Sequence, residues 1–336
     1  MVKSLKILLF VLFLCVAYFG GYGQTFDNLQ FIASDQLINP ANTGNHRYKW
    51  RLYNNYFLNK TIAPKAYPSF FVAGDYTVSY FPDKLALGVY FKQEPLTNSP
   101  VNISRFFVTG AFHFRFYQSS LRLGIQPGLV YSALDQNALT FPDQYDRNTG
   151  GFDPGTPTLE SYSIAPQTTL AINLGAAYRF LFKDKNYEIG LSYLYINAQK
   201  LEFYQAVVIP TFNATLKTEI HAQHLLLTPF IWVNHTNYNT RNTLGIFTTY
   251  DVKQKVSPLN KIIAGVNAGI NTKNYPQSVA IIAGVQWKRM TVTLNYKFPY
   301  QFGNRLVHSF NTFELALVYN GFDASITQHV LPCEFY

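Results

Sequence analysis

RFFVTGAFHFRFYQSSLRLGIQPGLVY, residues 105 to 131, alternates strictly between two kinds of side chain, twice over. In the first run Phe106, Val108, Phe112, Phe114 and Phe116 fall on one side, and Arg105, Thr109, Ala111, His113 and Arg115 on the other. After Tyr117-Gln118-Ser119-Ser120 the pattern restarts, with Leu121, Leu123, Ile125, Leu129 and Tyr131 against Arg122, Gly124, Gln126 and Gly128. Successive side chains of a strand point to opposite faces, so the stretch predicts a long β-hairpin with one apolar face. In a soluble sandwich that face would meet a second sheet; in a membrane barrel it meets lipid, and the other face lines a lumen.

Composition favours lipid. Only 13% of the 336 residues are charged and 17% are aromatic, with 25 Tyr and 29 Phe. Soluble domains carry roughly 25% charge, whereas barrels expose apolar bands between aromatic girdles. The formal charge of +9 is spread over strands and turns with no basic cluster, which argues against a nucleic-acid partner. Residues 1–23 have the parts of a cleaved secretory signal: Lys3 and Lys6, an apolar run from Ile7 to Phe19, then Gly20, Gly21 and Gly23. No later stretch is apolar enough for a transmembrane helix, so insertion must use strands. Cys333 is the only cysteine after the leader, so no internal disulfide is expected and the ladder itself must hold the fold.

Residues 24–46 read as an N-terminal periplasmic segment, with an ordered turn at Asn39-Pro40-Ala41-Asn42-Thr43-Gly44. Thirteen strands follow from alternation, beginning near Tyr48 to Leu58 and ending at Thr312 to Tyr319. Asp75, Arg105, Arg115, Arg122, Arg179 and Glu188 point to the lumen, and Tyr195 shares an outward face with Ile189, Leu191 and Tyr193. Single-chain bacterial barrels have even strand numbers, so about fourteen are expected, within a range of roughly 12 to 16. The missing strand lies in 203–215 or 322–330, and without it the tight turn near Lys288 falls at the wrong end. The fold class is therefore an all-β, transmembrane, antiparallel up-and-down β-barrel over residues 47–336. Short turns alternate with long loops at 133–166 and 199–217, the asymmetry of periplasmic turns and extracellular loops. The lumen is expected to hold either a pore or an inserted segment.

No chemistry emerges from spacing. On a strand, Glu219 and His221 share a face that His224 does not, and Asp143, Asp146 and Asp153 lack the spacing and the Glu of a known calcium loop. There is no Gly-rich phosphate loop and no Ser, His and acid set, so neither a cofactor, a metal nor an enzymatic site is expected. A loop as long as 133–166 usually signals function, and its Phe141, Asp143, Tyr145, Asp146, Phe152 and Asp153 are the candidate partner-binding residues.

Several short motifs resemble the PorP/SprF family of outer-membrane proteins, linked to type IX secretion and gliding in Bacteroidetes. They are Asn39-Pro40-Ala41-x-x-Gly44, Phe152-Asp153-Pro154, Leu294-Asn295-Tyr296, Phe313-Glu314-Leu315 and the ending around Cys333. Phe313 stands where that family usually has His, and Glu334 where it has Pro. The resemblance implies a barrel without enzymatic activity that retains or helps display a secreted, adhesin-like protein beside the translocon. The implied partners are a large secreted surface protein or its C-terminal domain, type IX translocon subunits and outer-membrane lipid. A porin or small-molecule transporter is the alternative.

Overall fold

The computed structural model describes residues 35–60, 66–79, 84–95, 101–134, 141–147, 149–153, 155–157, 165–183, 185–197, 209–236, 239–252, 259–271, 277–300 and 311–322. The leader and Cys333 lie outside them. A short helix, α1 (Asp35–Ile38), and a 3-10 turn, Pro40–Asn42, come first. The strands β1 (Trp50–Lys60), β2 (Ala66–Ser79), β3 (Lys84–Pro95), β4 (Val101–Arg115) and β5 (Ser119–Leu134) follow. A two-stranded hairpin, β6 (Tyr145–Asp146) and β7 (Gly151–Phe152), stands apart from the wall. The wall resumes with β8 (Gln167–Phe182), β9 (Lys185–Leu194), β10 (Thr211–Ala222), β11 (Leu225–Thr236) and β12 (Thr240–Asp251). It ends with β13 (Leu259–Asn271), β14 (Gln277–Trp287), β15 (Met290–Tyr300) and β16 (Asn311–Asn320).

Among the described residues, 14 strands close into an antiparallel barrel, each pairing with its chain neighbours and β1 with β16. They run from 10 to 16 residues, enough to cross a bilayer at a tilt. The alternation at 105–131 is realised as β4 and β5, which meet in the register Phe106↔Leu129 and Phe112↔Leu123. These four side chains are exposed on the outside, while Phe107, Thr109, Ala111, His113, Arg122 and Gln126 are buried within.

The strand that alternation leaves uncounted is β10, which occupies the second half of the loop expected at 199–217. Its outward set, Phe212, Ala214, Leu216, Thr218 and Ile220, is interrupted by small and polar residues, and Lys217 and Glu219 sit inside its inward set. That mixture hides the period of two. Restoring β10 moves the turn at Lys288 to the same end as those between β4 and β5, β8 and β9, and β10 and β11. β5 and β9 end, and β8 and β10 begin, at the opposite end. Tyr195 also departs from expectation: with φ +59 it leaves the strand path, and its ring meets Phe107 edge-on inside the barrel.

The outside carries exposed apolar side chains on every strand of the wall, the kind of surface a bilayer covers. A basic residue at mid-depth should cost about 2 to 4 kcal/mol, falling to about 0 to 1 near the interfaces. Ile281, exposed at the middle of β14, and Trp287, at its end, test this. Ile281→Lys is expected to lower the urea midpoint of the vesicle-inserted barrel by the larger amount and Trp287→Lys by the smaller.

Candidate functional site in the barrel lumen

The lumen contains the chain's own N-terminal segment. Gln36, Ile38, Asn39, Pro40, Ala41, Asn42 and Thr43 are all buried, and the 3-10 turn lies against β4, β5 and β8. The expectation of a periplasmic turn ahead of the first strand is thus corrected for residues 35–44. Many inward side chains of the wall are polar and cannot be satisfied by lipid, so a polar segment inside supplies some of the partners they need.

The Asn-Pro-Ala-x-x-Gly motif explains the seat. Asn39 accepts a hydrogen bond from the Ala41 amide (2.9 Å) and donates through Nδ2 to the carbonyls of Ala176 (3.0 Å) and Leu191 (3.2 Å). It therefore caps the 3-10 turn and ties it to β8 and β9 with one side chain. Pro40 opens the turn, where no amide is needed. Ala41 is fully buried, and its amide approaches β5 so closely that a Cβ on Gly124 would lie 2.5 Å from it. Gly44 has φ +70, and a Cβ there would meet the Ala86 side chain at 2.3 Å.

One carboxylate gathers the rest. Asp75, on β2, accepts from Gln36 Nε2 (3.0 Å), the Gly44 amide (2.9 Å) and the Tyr53 hydroxyl (3.0 Å), and meets His46 Nε2 at 2.9 Å. Arg51 reaches both Asp75 and Asp35 at 3.5 Å. Burial pushes the Asp35 carboxyl above its ordinary value, and the attraction of Arg51 only partly offsets this. Further round the wall, His113 contacts the Thr43 carbonyl (2.9 Å), Arg122 donates to Asn42 (3.4 Å) and Asn213 to the Ile38 carbonyl (3.2 Å).

Several inward charges are paired. Glu188 holds Arg122 (2.8 Å), Lys217 (2.7 Å) and Arg179 (3.4 Å), while Arg179 also bonds Glu219. Glu94 joins Lys92 (2.7 Å) to Arg105. Glu314 is fully buried and accepts from Asn55 (3.2 Å) and Asn295 (3.4 Å), connecting β16 to both neighbours. The lumen is more aromatic than expected: Phe71 meets Tyr90 tilted at 5.6 Å, and Tyr90 stacks on Phe107 at 5.1 Å. Alternation places all three inward, but their apolar character disguised them. Among the described residues no three His, Cys, Asp or Glu side chains assemble to hold a metal ion.

The proposed loop residues form a small ordered unit. Gln144 is buried beneath it, accepting from the Phe141 amide (3.1 Å) and donating to the Thr156 carbonyl (3.0 Å). Above it Tyr145 and Phe152 pack edge-on at 5.3 Å while remaining 47% and 50% exposed. Asp146 accepts from the Thr149 hydroxyl, and Asp153 from the Gly155 amide and the Thr156 hydroxyl, so local donors occupy both carboxylates. Asp143 is exposed at the start of the unit.

Asn39→Ala removes two hydrogen bonds to the wall and the cap, together about 2 to 3 kcal/mol. Exchange of the Ala41 and Asn42 amides is expected to accelerate roughly thirtyfold or more, with strand amides unchanged. Hydrogen exchange read by mass spectrometry would measure both.

Two solved barrels are similar in fold. The CymD monoaromatic hydrocarbon channel matches with a TM-score of 0.54 and 10% identity, over 88% of this chain and 94% of its own. A TodX monoaromatic hydrocarbon channel deltaS2 mutant matches with a TM-score of 0.51 and 10% identity, over 86% and 94%. At such identity these likenesses speak for the fold alone. None of the curated proteins matches. The model of the family described as "Type IX secretion system membrane protein PorP/SprF" matches residues 22–319. With its closed barrel and the Asn-Pro-Ala-x-x-Gly turn seated inside, the chain belongs to the PorP/SprF family of type IX secretion system membrane proteins.

Proposed function

We propose that this barrel stands in the outer membrane after removal of residues 1–23, with its short turns in the periplasm. From its outer rim it binds, retains or helps display a secreted, adhesin-like protein. The observation that carries this reading is a division of labour. The chain's own segment occupies part of the lumen, while Tyr145 and Phe152, between β5 and β8, form an ordered aromatic pair exposed to solvent. A protein that worked by bulk diffusion would need the lumen, and one that worked by contact needs the rim. Aromatic side chains held by a buried support beneath them suit protein recognition, because little conformational freedom is lost on binding. The secreted protein or its C-terminal domain would engage Tyr145 and Phe152, flanked by Phe141, Asp143, Asp146 and Asp153. Translocon subunits would share the complex. The steady-pore reading has less support with the segment seated.

Affinity purification of the tagged barrel from membranes of its own host is expected to retain a large secreted protein and translocon subunits. Replacing Tyr145 and Phe152 together by Ser should reduce the retained secreted protein about tenfold or more. Purification without either class of partner would overturn the reading, as would a wide, steady conductance of the unaltered protein in a planar bilayer.

A further inference from the structure

The segment in the lumen is held differently from the wall around it. Every barrel strand is fixed by backbone ladders on both edges. Asp35 to Gly44 precede β1, and their contacts with the wall described above each use a side chain on at least one partner. Buried polar atoms at this contact, among them Asp35 Oδ1, Gln36 Oε1, Thr43 Oγ1, His46 Nδ1 and Arg51 Nε, have no hydrogen-bond partner among the described residues. Such atoms gain partners in water, so leaving the seat recovers part of what docking costs. The wall beside the segment carries Thr109, Gln126, Asn173 and Asn213, all buried and polar, which water would solvate readily.

Two geometrical facts give the segment an exit and a latch. From Gly44 the chain runs to the start of β1, where the Lys49 amide bonds the Phe322 carbonyl at 2.7 Å, beyond the end of β16. The segment can therefore leave by the short-turn end without crossing a strand. Asp75 Oδ2 accepts from Gln36 near the segment's start and from the Gly44 amide at its end, so one oxygen holds both.

We propose that Asp35 to Gly44 form a withdrawable stopper latched at Asp75, and that withdrawal through the short-turn end opens a polar passage along β4, β5, β8 and β10. The proposal does not depend on the rim's partner, since a barrel that retains a surface protein can be opened or closed independently of it.

Single-channel recording of the full chain in planar bilayers tests it. Thr43 and Gly88 face each other, with a Cβ on Gly88 lying 2.8 Å from Thr43 Cγ2. A Thr43→Cys, Gly88→Cys pair, with Cys15 and Cys333 replaced by Ser, should show brief openings when reduced and none when oxidised. Gln36→Ala, which alters only the segment, should raise the open fraction roughly tenfold. Gly124→Ala, which a strand accepts but the seated segment does not, should raise it at least as much. Openings that persist in the oxidised pair would overturn the proposal. So would silence in the reduced pair and in Gln36→Ala, with heat-modifiable gel mobility reporting folded barrels. If Gly124→Ala fails to fold, the oxidised and reduced states of the one cysteine pair still decide.

Discussion

Lipid offers no hydrogen-bond partner to a peptide group, and this constraint shapes the whole molecule. It forces the strands to close on themselves, so that β1 must find β16 across almost the full length of the chain. Closure in turn divides every strand by parity. One set of side chains is dissolved in hydrocarbon and can be nearly anything apolar. The other set faces a confined interior where each polar atom needs a partner and each charge a counter-charge. The paired cluster around Glu188, the buried Glu314 and the hub at Asp75 all follow from that division. Removing one member of such a pair strands its partner, so these residues are costly to replace.

How much of this is legible in the sequence depends on where the information lies. The outward set is legible because lipid imposes the same rule along every strand, and Phe106 to Leu129 obey it on their outer face apart from Gly110 and the turn residues. The inward set is only half legible. Asp75, Arg122 and Glu188 reveal their direction by charge, whereas Phe71, Tyr90 and Phe107 look like lipid-facing residues and are identified only by parity. β10 escapes the alternation pattern because Ala214 and Thr218 interrupt its apolar face. Parity alone sends Tyr195 outward, because nothing local announces the positive φ that turns it inward.

The least legible feature is the seat of the N-terminal segment. The motif at Asn39 announces a turn, since Asn, Pro and Gly suit one anywhere. Its partners stand 137 and 152 residues further along, in backbone carbonyls of strands whose sequences carry no sign of them. The resemblance to PorP/SprF proteins selected Asn39, Pro40, Ala41 and Gly44 without a reason for them. The lumen supplies the reasons: a cap, a fixed φ, a side chain small enough for the close approach to β5, and a left-handed residue against Ala86.

The position of that segment also bears on the order in which the molecule can assemble. Its hydrogen bonds to the wall fall on β2, β4, β5, β8, β9 and β10, all of which are synthesised well before β16. An open, curling sheet of those strands already offers the complete set of polar partners. The final seam between β1 and β16, the contact of greatest sequence separation, forms slowly and late. The seam can therefore close around an interior whose polar contacts all lie on strands that precede it in the chain.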